Sequence, residues 1–307
     1  MKPKILVIGS SNTDMIVKVP RIPCSGETVL GGEFVIAPGG KGANQAVGAA
    51  RAGGDVTFIA RVGDDMFGRQ AIDGFHSDGI CVDWLVRDPQ NPSGVALIFV
   101  DASGKNSIAV APGANARLSP ADLHRATAAF RGARLLVMQL ETPLKTVADA
   151  VELAAHHRVP VILNPAPVQP LPGALLQRIS ILTPNEVEAT ALTGVSVRDE
   201  ASAAQAAAKL RARGVETVII TMDALGAFVD GPRVRQLVPS FKVKVVDSTG
   251  AGDVFCGALA VALGEGKPLL EAVRFANAAA ALSVTRFGAQ PSAPTRAEIE
   301  HFLTRSS

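Results

Sequence analysis

A doubly wound α/β fold, built on a mostly parallel sheet with helices on both faces, is predicted by three features of the sequence. Short β-branched runs alternate with longer segments of helical period, polar residues stand where the apolar runs stop, and glycine-rich turns open helical segments. The 307 residues would suffice for two domains, but α/β folds often carry that length on one core, and no Pro/Gly/Ser tether divides the chain. One domain over residues 1–307 is the expectation.

The first candidate buried strand is Lys4–Ile8, followed by runs at 56–62, 134–140, 159–164, 179–183 and 215–221. Between them, Ser119-Pro120-Ala121-Asp122 supplies an N-cap, a proline at the first helical position and an acidic first turn, opening a helix toward Phe130. An alanine-rich helix is predicted over 199–213, ending before Gly214, and another over 268–284. Residues 27–37 and 93–110 break the alternation. They read as antiparallel strands, the second pair turning at Asp101-Ala102-Ser103-Gly104, with no helix between the halves. The expectation is a small β lid, drawn from about 15–37 and 93–111, inserted in the main domain over the carboxyl edge of its sheet. The proline-dense stretch 164–173 follows a strand directly and reads as a stiff loop over a site.

Composition narrows the function. Hydrophobic residues make up 48% and charged residues 19%, enough apolar surface for a large interior. Thirty Lys+Arg against 28 Asp+Glu leave +2, without the basic run of a nucleic-acid binder. No apolar run reaches the roughly 20 residues that span a bilayer, and the opening apolar stretch is too short for a signal peptide, so no membrane partner and a cytoplasmic location are expected. Cys24, Cys81 and Cys256 lack C-x-x-C spacing and are expected to be buried thiols, and the five histidines contain no H-E-x-x-H.

The most informative segment is 245–255, Val-Val-Asp-Ser-Thr-Gly-Ala-Gly-Asp-Val-Phe. A strand is expected to end there, and an apolar helix to begin near Gly252 and run to about Leu263. Glycines at a helix start let backbone N–H groups approach an anion, and the dipole favours negative charge there. Asp253 has two readings: a dipole-stabilising cap, or a carboxylate that accepts a proton from a hydroxyl attacking phosphorus while neighbouring N–H groups stabilise the developing charge. A second loop, Pro38-Gly39-Gly40-Lys41-Gly42-Ala43-Asn44, precedes a helical stretch to Ala52. It is not a Walker A loop, since Gly42 follows Lys41, and no G-x-G-x-x-G follows the first strand. Asn12 and Asp14 there either form Asx-turns or bind the vicinal hydroxyls of a sugar. Polar groups at three more strand ends (Gln139 to Glu141, Asn164, and Thr183 to Glu188) converge on one crevice, since ligands bind beyond the carboxyl ends of open parallel sheets. Amides, carboxylates and two glycine-lined anion sites suit phosphoryl transfer to a polyol, and Glu188 with its loop neighbours suits Mg²⁺ held through water.

Asn12-Thr13-Asp14, the Gly39 to Asn44 loop, Met138 to Glu141, Asn164 to Pro167, Thr183 to Glu186, the Asp247 to Asp253 segment and Gly288 to Ser292 together resemble the ribokinase-type (PfkB) carbohydrate kinases over nearly the whole chain. The resemblance implies a ribokinase-like α/β domain whose β lid often makes a homodimer contact, and transfer of the ATP γ-phosphate to the 5-hydroxyl of ribose. Matched by motif position, Asp253 is the base, and Gly250, Ala251 and Gly252 form the anion hole. Asn12, Asp14, Gly40, Lys41, Asn44 and Glu141, with Asp253, hold the sugar. Asn185 and Glu188 serve phosphates and Mg²⁺, and Thr221, Gly226 and Asn277 line the nucleotide site. The family's monovalent cation site maps to Asp247, Thr249, Ser283, Arg286, Gly288 and Ser292, mainly through carbonyls, where K⁺ would order the anion-hole loop.

One position departs from the pattern: Asp223 stands where the family usually has glycine, near the expected ATP phosphates. Like charge and a blocked backbone approach there would weaken nucleotide binding, unless the side chain turns to solvent. Alternative acceptors are deoxyribose, a ketohexose, a sugar acid or a nucleoside. A sugar-binding regulatory protein without catalysis is a further alternative.

Overall fold

The structure, a computed structural model, describes residues 1–306. Its main sheet has eight strands in the order Val234–Pro239, Gly226–Gly231, Thr217–Thr221, Ile181–Leu182, Val161–Leu163, Leu135–Met138, Lys4–Ile8 and Asp55–Ile59. The six from Thr217–Thr221 onward run parallel, and the first two add an antiparallel hairpin at one edge. Successive side chains leave a strand on opposite faces. Ile5, Val7, Leu135, Val137 and Ile219 therefore join one core with the helices Lys41–Arg51, Ala251–Gly264 and Leu269–Ser283. Leu6, Ile8, Leu136, Met138, Val218 and Ile220 join the other, with Leu144–His156 and Glu200–Ala212. Burial on both faces explains why these strands read as unbroken apolar runs.

Several boundaries differ from expectation. The 56–62 run is two strands. Asp55–Ile59 stays in the main sheet, while Arg61–Gly63 pairs with Val86–Asp88, drawn aside by the Arg61 guanidinium on Asp88 and Asp122 at 2.8 and 3.1 Å. The helix expected toward Phe130 divides at Ala126 into Pro120–Arg125 and Thr127–Phe130. Val245 and Val246 are not a strand: the Val246 and Asp247 N–H groups both donate to the Val284 carbonyl at a helix end. Nor are all the cysteines buried, for Cys24 is exposed and Cys81 intermediate.

A separate four-stranded sheet contains Phe34–Gly39, Asn12–Lys18, Gly94–Val100 and Asn106–Ala111 in that spatial order. Two corrections apply to the lid. Of the 27–37 run only the end from Phe34 is strand, and the central pair, Asn12–Lys18 with Gly94–Val100, is parallel. Register places Ile36, Met15 and Leu97 on one face and Val35, Ile16, Ile98 and Ile108 on the other. Apolar side chains are exposed on both, Ile36 at 50% and Ile108 at 54%.

Candidate functional site

The site forms where two glycine-opened helices cross above the carboxyl ends of the parallel strands. A Cβ on Gly257 would lie 2.6 Å from both the Ala49 nitrogen and the Gln45 carbonyl oxygen, so glycine alone lets Ala251–Gly264 press this closely on Lys41–Arg51. The crossing brings Asn44 and Gln45 to Asp253. Asn44 Nδ2 donates to Asp253 Oδ2 at 2.9 Å and Gln45 Nε2 to Oδ1 at 3.0 Å. Gly250 adopts φ 76° at the helix start, where a Cβ would collide with Ala289, while the Cβ direction of Gly252 is open.

Asp253 is buried, and burial holds its carboxyl above the ordinary carboxylate range, against the pull of Lys41 and of the two amide donors. Lys41 is correspondingly held above the usual ammonium range, chiefly by Asp253, with burial opposing. Asp14 is pushed up to about 6 by burial and then by Glu141 and Asp253. Glu141 Oε2 accepts the Lys41 N–H at 3.0 Å and the Ser10 hydroxyl. The centre is thus one lysine among four acids, Asp14, Glu141, Glu188 and Asp253, in partly dry surroundings.

A cavity of about 140 Å³ is lined by Lys41, Asn185, Glu188, Thr221, Gly250, Ala251, Gly252 and Asp253. It adjoins one of about 440 Å³ lined by Thr221, Asp223, Gly226, Phe241 and Asn277. Gly252 and Asp253 sit in the first helical turn, whose N–H groups have no carbonyl partner inside the helix. The Ala251 N–H already donates to Ser248 O at 3.3 Å.

Several expected ligand groups also hydrogen-bond within the protein. Asn12 lies in a strand, not an Asx-turn, and its Oδ1 accepts from Asn115 at 2.7 Å. Asn277 Nδ2 donates to the Val238 and Pro239 carbonyls, shaping the cavity wall. Glu188 closes a capping box with Asn185, both oxygens engaged. Gly40 is set against the Asn12 backbone at φ 88°. At the cation positions, Asp247 Oδ1 accepts from Thr249 and Oδ2 from the Gly288 N–H at 2.8 Å, tying the two loops together beside Gly250. Burial opposes, but these bonds hold the Asp247 carboxyl below its usual range. The Ser283 and Ser292 hydroxyls turn back to Ala280 and Ala289, and Arg286 pairs with Glu298.

Sequence reasoning gave no role to Gln45 or Asn115, and placed Gln139 only among the polar groups at strand ends. The available signal was polarity in the wrong place: Gln45 sits in a helix whose residues 42–49 are all buried, and a buried amide must be partnered. Cys256 also lines the smaller cavity, but burial pushes its thiol up to about 12, and it shares a bond with Thr183.

Residues 2–296 match the model of the pfkB family carbohydrate kinases. The chain is 45% identical over 303 residues to the ribokinase of Haemophilus influenzae, covering 99% of both chains. It is 38% identical to the deoxyribokinase of Salmonella typhi, with 98% of both covered. The structure of Arabidopsis thaliana ribokinase complexed with ribose and ATP superimposes with a TM-score of 0.91 at 34% identity, covering 99% of both.

Proposed function

The chain belongs to the pfkB family of carbohydrate kinases, and from that premise we propose that it transfers the γ-phosphoryl group of ATP to the 5-hydroxyl of D-ribose, giving ribose 5-phosphate. The observation that carries the reading is Asp253, a buried carboxylate held by amides at a helix start, at the edge of a small cavity that joins a nucleotide-sized one. Asp253 takes the hydroxyl proton as the sugar oxygen bonds to the γ-phosphorus and the bond to the β-phosphate oxygen breaks, releasing ADP. The N–H groups of Gly250 and Gly252, that of Ala251 on release from the Ser248 carbonyl, and the Lys41 ammonium face the charge that develops. Asp14, Gly40, Asn44 and Glu141 hold the sugar, with Asn12 held in place by Asn115. Asn185, Thr221, Gly226 and Asn277 shape the nucleotide side.

Among the described residues no three His, Cys, Asp or Glu side chains converge as a metal set. Glu188 and Asn185 would hold Mg²⁺ through water, the ion neutralising phosphate charge. Carbonyls around Asp247, Thr249, Ser283, Arg286, Gly288 and Ser292 would hold K⁺, which lends positive charge beside the anion hole. ATP dependence supports a cytoplasmic setting. Among the described residues no helix is long and apolar enough to cross a membrane. The exposed apolar faces and unpaired edge strands of the small sheet support a homodimer formed through it.

Likeness to a deoxyribokinase favours deoxyribose as a second acceptor. ADP release measured with ribose, deoxyribose, fructose, a sugar acid and a nucleoside, omitting Mg²⁺ and K⁺ in turn, tests the reading. The highest kcat/KM is expected for ribose with both ions present. Faster turnover of another acceptor would reassign the substrate, and sugar binding without turnover would leave a binding protein.

A further inference from the structure

Behind Asp253 lies a buried chain of amides that the sugar and nucleotide contacts do not use. Gln45 Nε2 donates to Asp253 Oδ1 at 3.0 Å, and Gln139 Nε2 donates to Gln45 Oε1 at 2.6 Å. Both glutamines are nearly inaccessible, at 0% and 1% exposure. Their orientation follows from charge. An ionised carboxylate only accepts, so Gln45 must present its NH₂ to Asp253 and its oxygen away, and Gln139 must present its NH₂ to that oxygen.

The two carboxylate oxygens are held unequally. Gln45 is fixed at both ends, and its Nε2 also faces Asn164 Oδ1 at 3.4 Å. Asn44 grips Oδ2 through Nδ2 alone, for its own Oδ1 is buried without a partner. A sugar hydroxyl can replace the singly anchored Asn44 contact, and Asn44 Oδ1 is free to take up a hydroxyl of the same sugar.

We propose that Gln45 and Gln139 are positioning residues that lock Oδ1 of Asp253, leaving Oδ2 as the atom that receives the substrate proton. This rests on the reading of Asp253 as the base. The relay keeps the carboxylate plane fixed while the sugar enters from the Asn44 side. It also opposes neutralisation of Asp253, since donors to the charged form favour it. The other ionisable groups facing Asp253 are Lys41, Asp14, Glu141, Glu188 and Cys256, and the relay leaves each in place.

The test compares Gln45→Met, Gln139→Met, the double variant and Asp253→Asn. Sugar affinity by calorimetry is expected to stay within about threefold of wild type while kcat falls ~10-fold or more in Gln45→Met. The acid limb of kcat against pH should move to higher pH, because the carboxylate has lost a donor. Gln139 acts through Gln45, so the double variant should lose no more than Gln45→Met alone. A wild-type pH profile, or losses that multiply, would overturn the relay. If Gln45→Met fails to fold, Gln139→Glu decides: its carboxylate turns Gln45 end for end and sets a carbonyl oxygen against Asp253. The same limb shift is expected there, and its absence overturns the proposal. Full turnover by Asp253→Asn would instead sink the base itself. An inactive Asp253→Asn beside wild-type behaviour of the glutamine variants would remove the relay alone.

Discussion

The Asp253 corner and the four-stranded sheet differ in how their residues are satisfied. At the corner two helices meet backbone to backbone at Gly257, and Asp253, Asn44 and Gln45 are buried in mutual hydrogen bonds. On the sheet, Phe34, Ile36, Leu97 and Ile108 remain open to solvent, and among the described residues both edge strands are paired on one side only. The corner is satisfied within one chain. The sheet leaves apolar side chains exposed on both faces, and the proposed dimer contact rests on that surface. Substitutions should therefore act on rate or fold at the corner, and on binding and assembly at the sheet.

The largest effect expected is on rate. Asp253→Asn keeps the shape and both amide neighbours but removes the proposed base, so kcat should fall by ~10² to 10⁴ while the melting temperature is held or raised. A raised melting temperature follows because the buried charge that burial disfavours has gone. Steady-state kinetics and thermal melting read the two together, and a stable variant with near wild-type kcat would break the assignment of chemistry to the corner.

Next is the crossing itself. Gly257→Val forces a side chain into the Ala49 and Gln45 backbone, and overpacking of this kind costs about 1–3 kcal/mol. Denaturant unfolding should show that loss, with kcat falling too because Asn44 and Gln45 move away from Asp253. At the sheet, Ile36→Glu with Leu97→Glu should leave unfolding of the core unchanged while shifting sedimentation toward monomer and raising the sugar KM. A global loss of stability from this pair would merge the two regions into one cooperative unit.

The corner and the sheet were unequally legible in the sequence. Lys4–Ile8, 199–213 and the Asp247 to Asp253 turn carry local signals: a continuous apolar run, a capped alanine-rich helix, and glycine before an acid. The strand Asn12–Lys18 was hidden because its polar start reads as a turn, and only pairing with Phe34–Gly39 and Gly94–Val100 makes it extended. The partners of Asp253 depend on a helix crossing 209 residues apart in sequence, which no local pattern encodes. The bonds of Asn277 to the Val238 and Pro239 carbonyls and of Glu188 to Asn185 were equally invisible, since residue type states what a side chain can bond but not which partner it finds.

The smallest effect expected concerns Asp223, at the rim of the larger cavity. Its backbone has φ 44°, the left-handed region in which a non-glycine residue is disfavoured by about 1–2 kcal/mol, less for aspartate than for most. Burial and then the charge of Asp223 hold the Glu186 carboxyl above its usual range, so a second acid feels this one across the wall of the same cavity. Asp223→Gly removes both the backbone strain and the carboxylate charge at that rim. Stability should rise by up to ~1 kcal/mol and the KM for ATP should fall a few-fold, with sugar KM and kcat unchanged. A gain in stability with unaltered ATP kinetics would show that the Asp223 charge is spent on solvent; a rise in the ATP KM would mean that the carboxylate itself grips the nucleotide, and would move part of the binding machinery from the packed corner to its exposed rim.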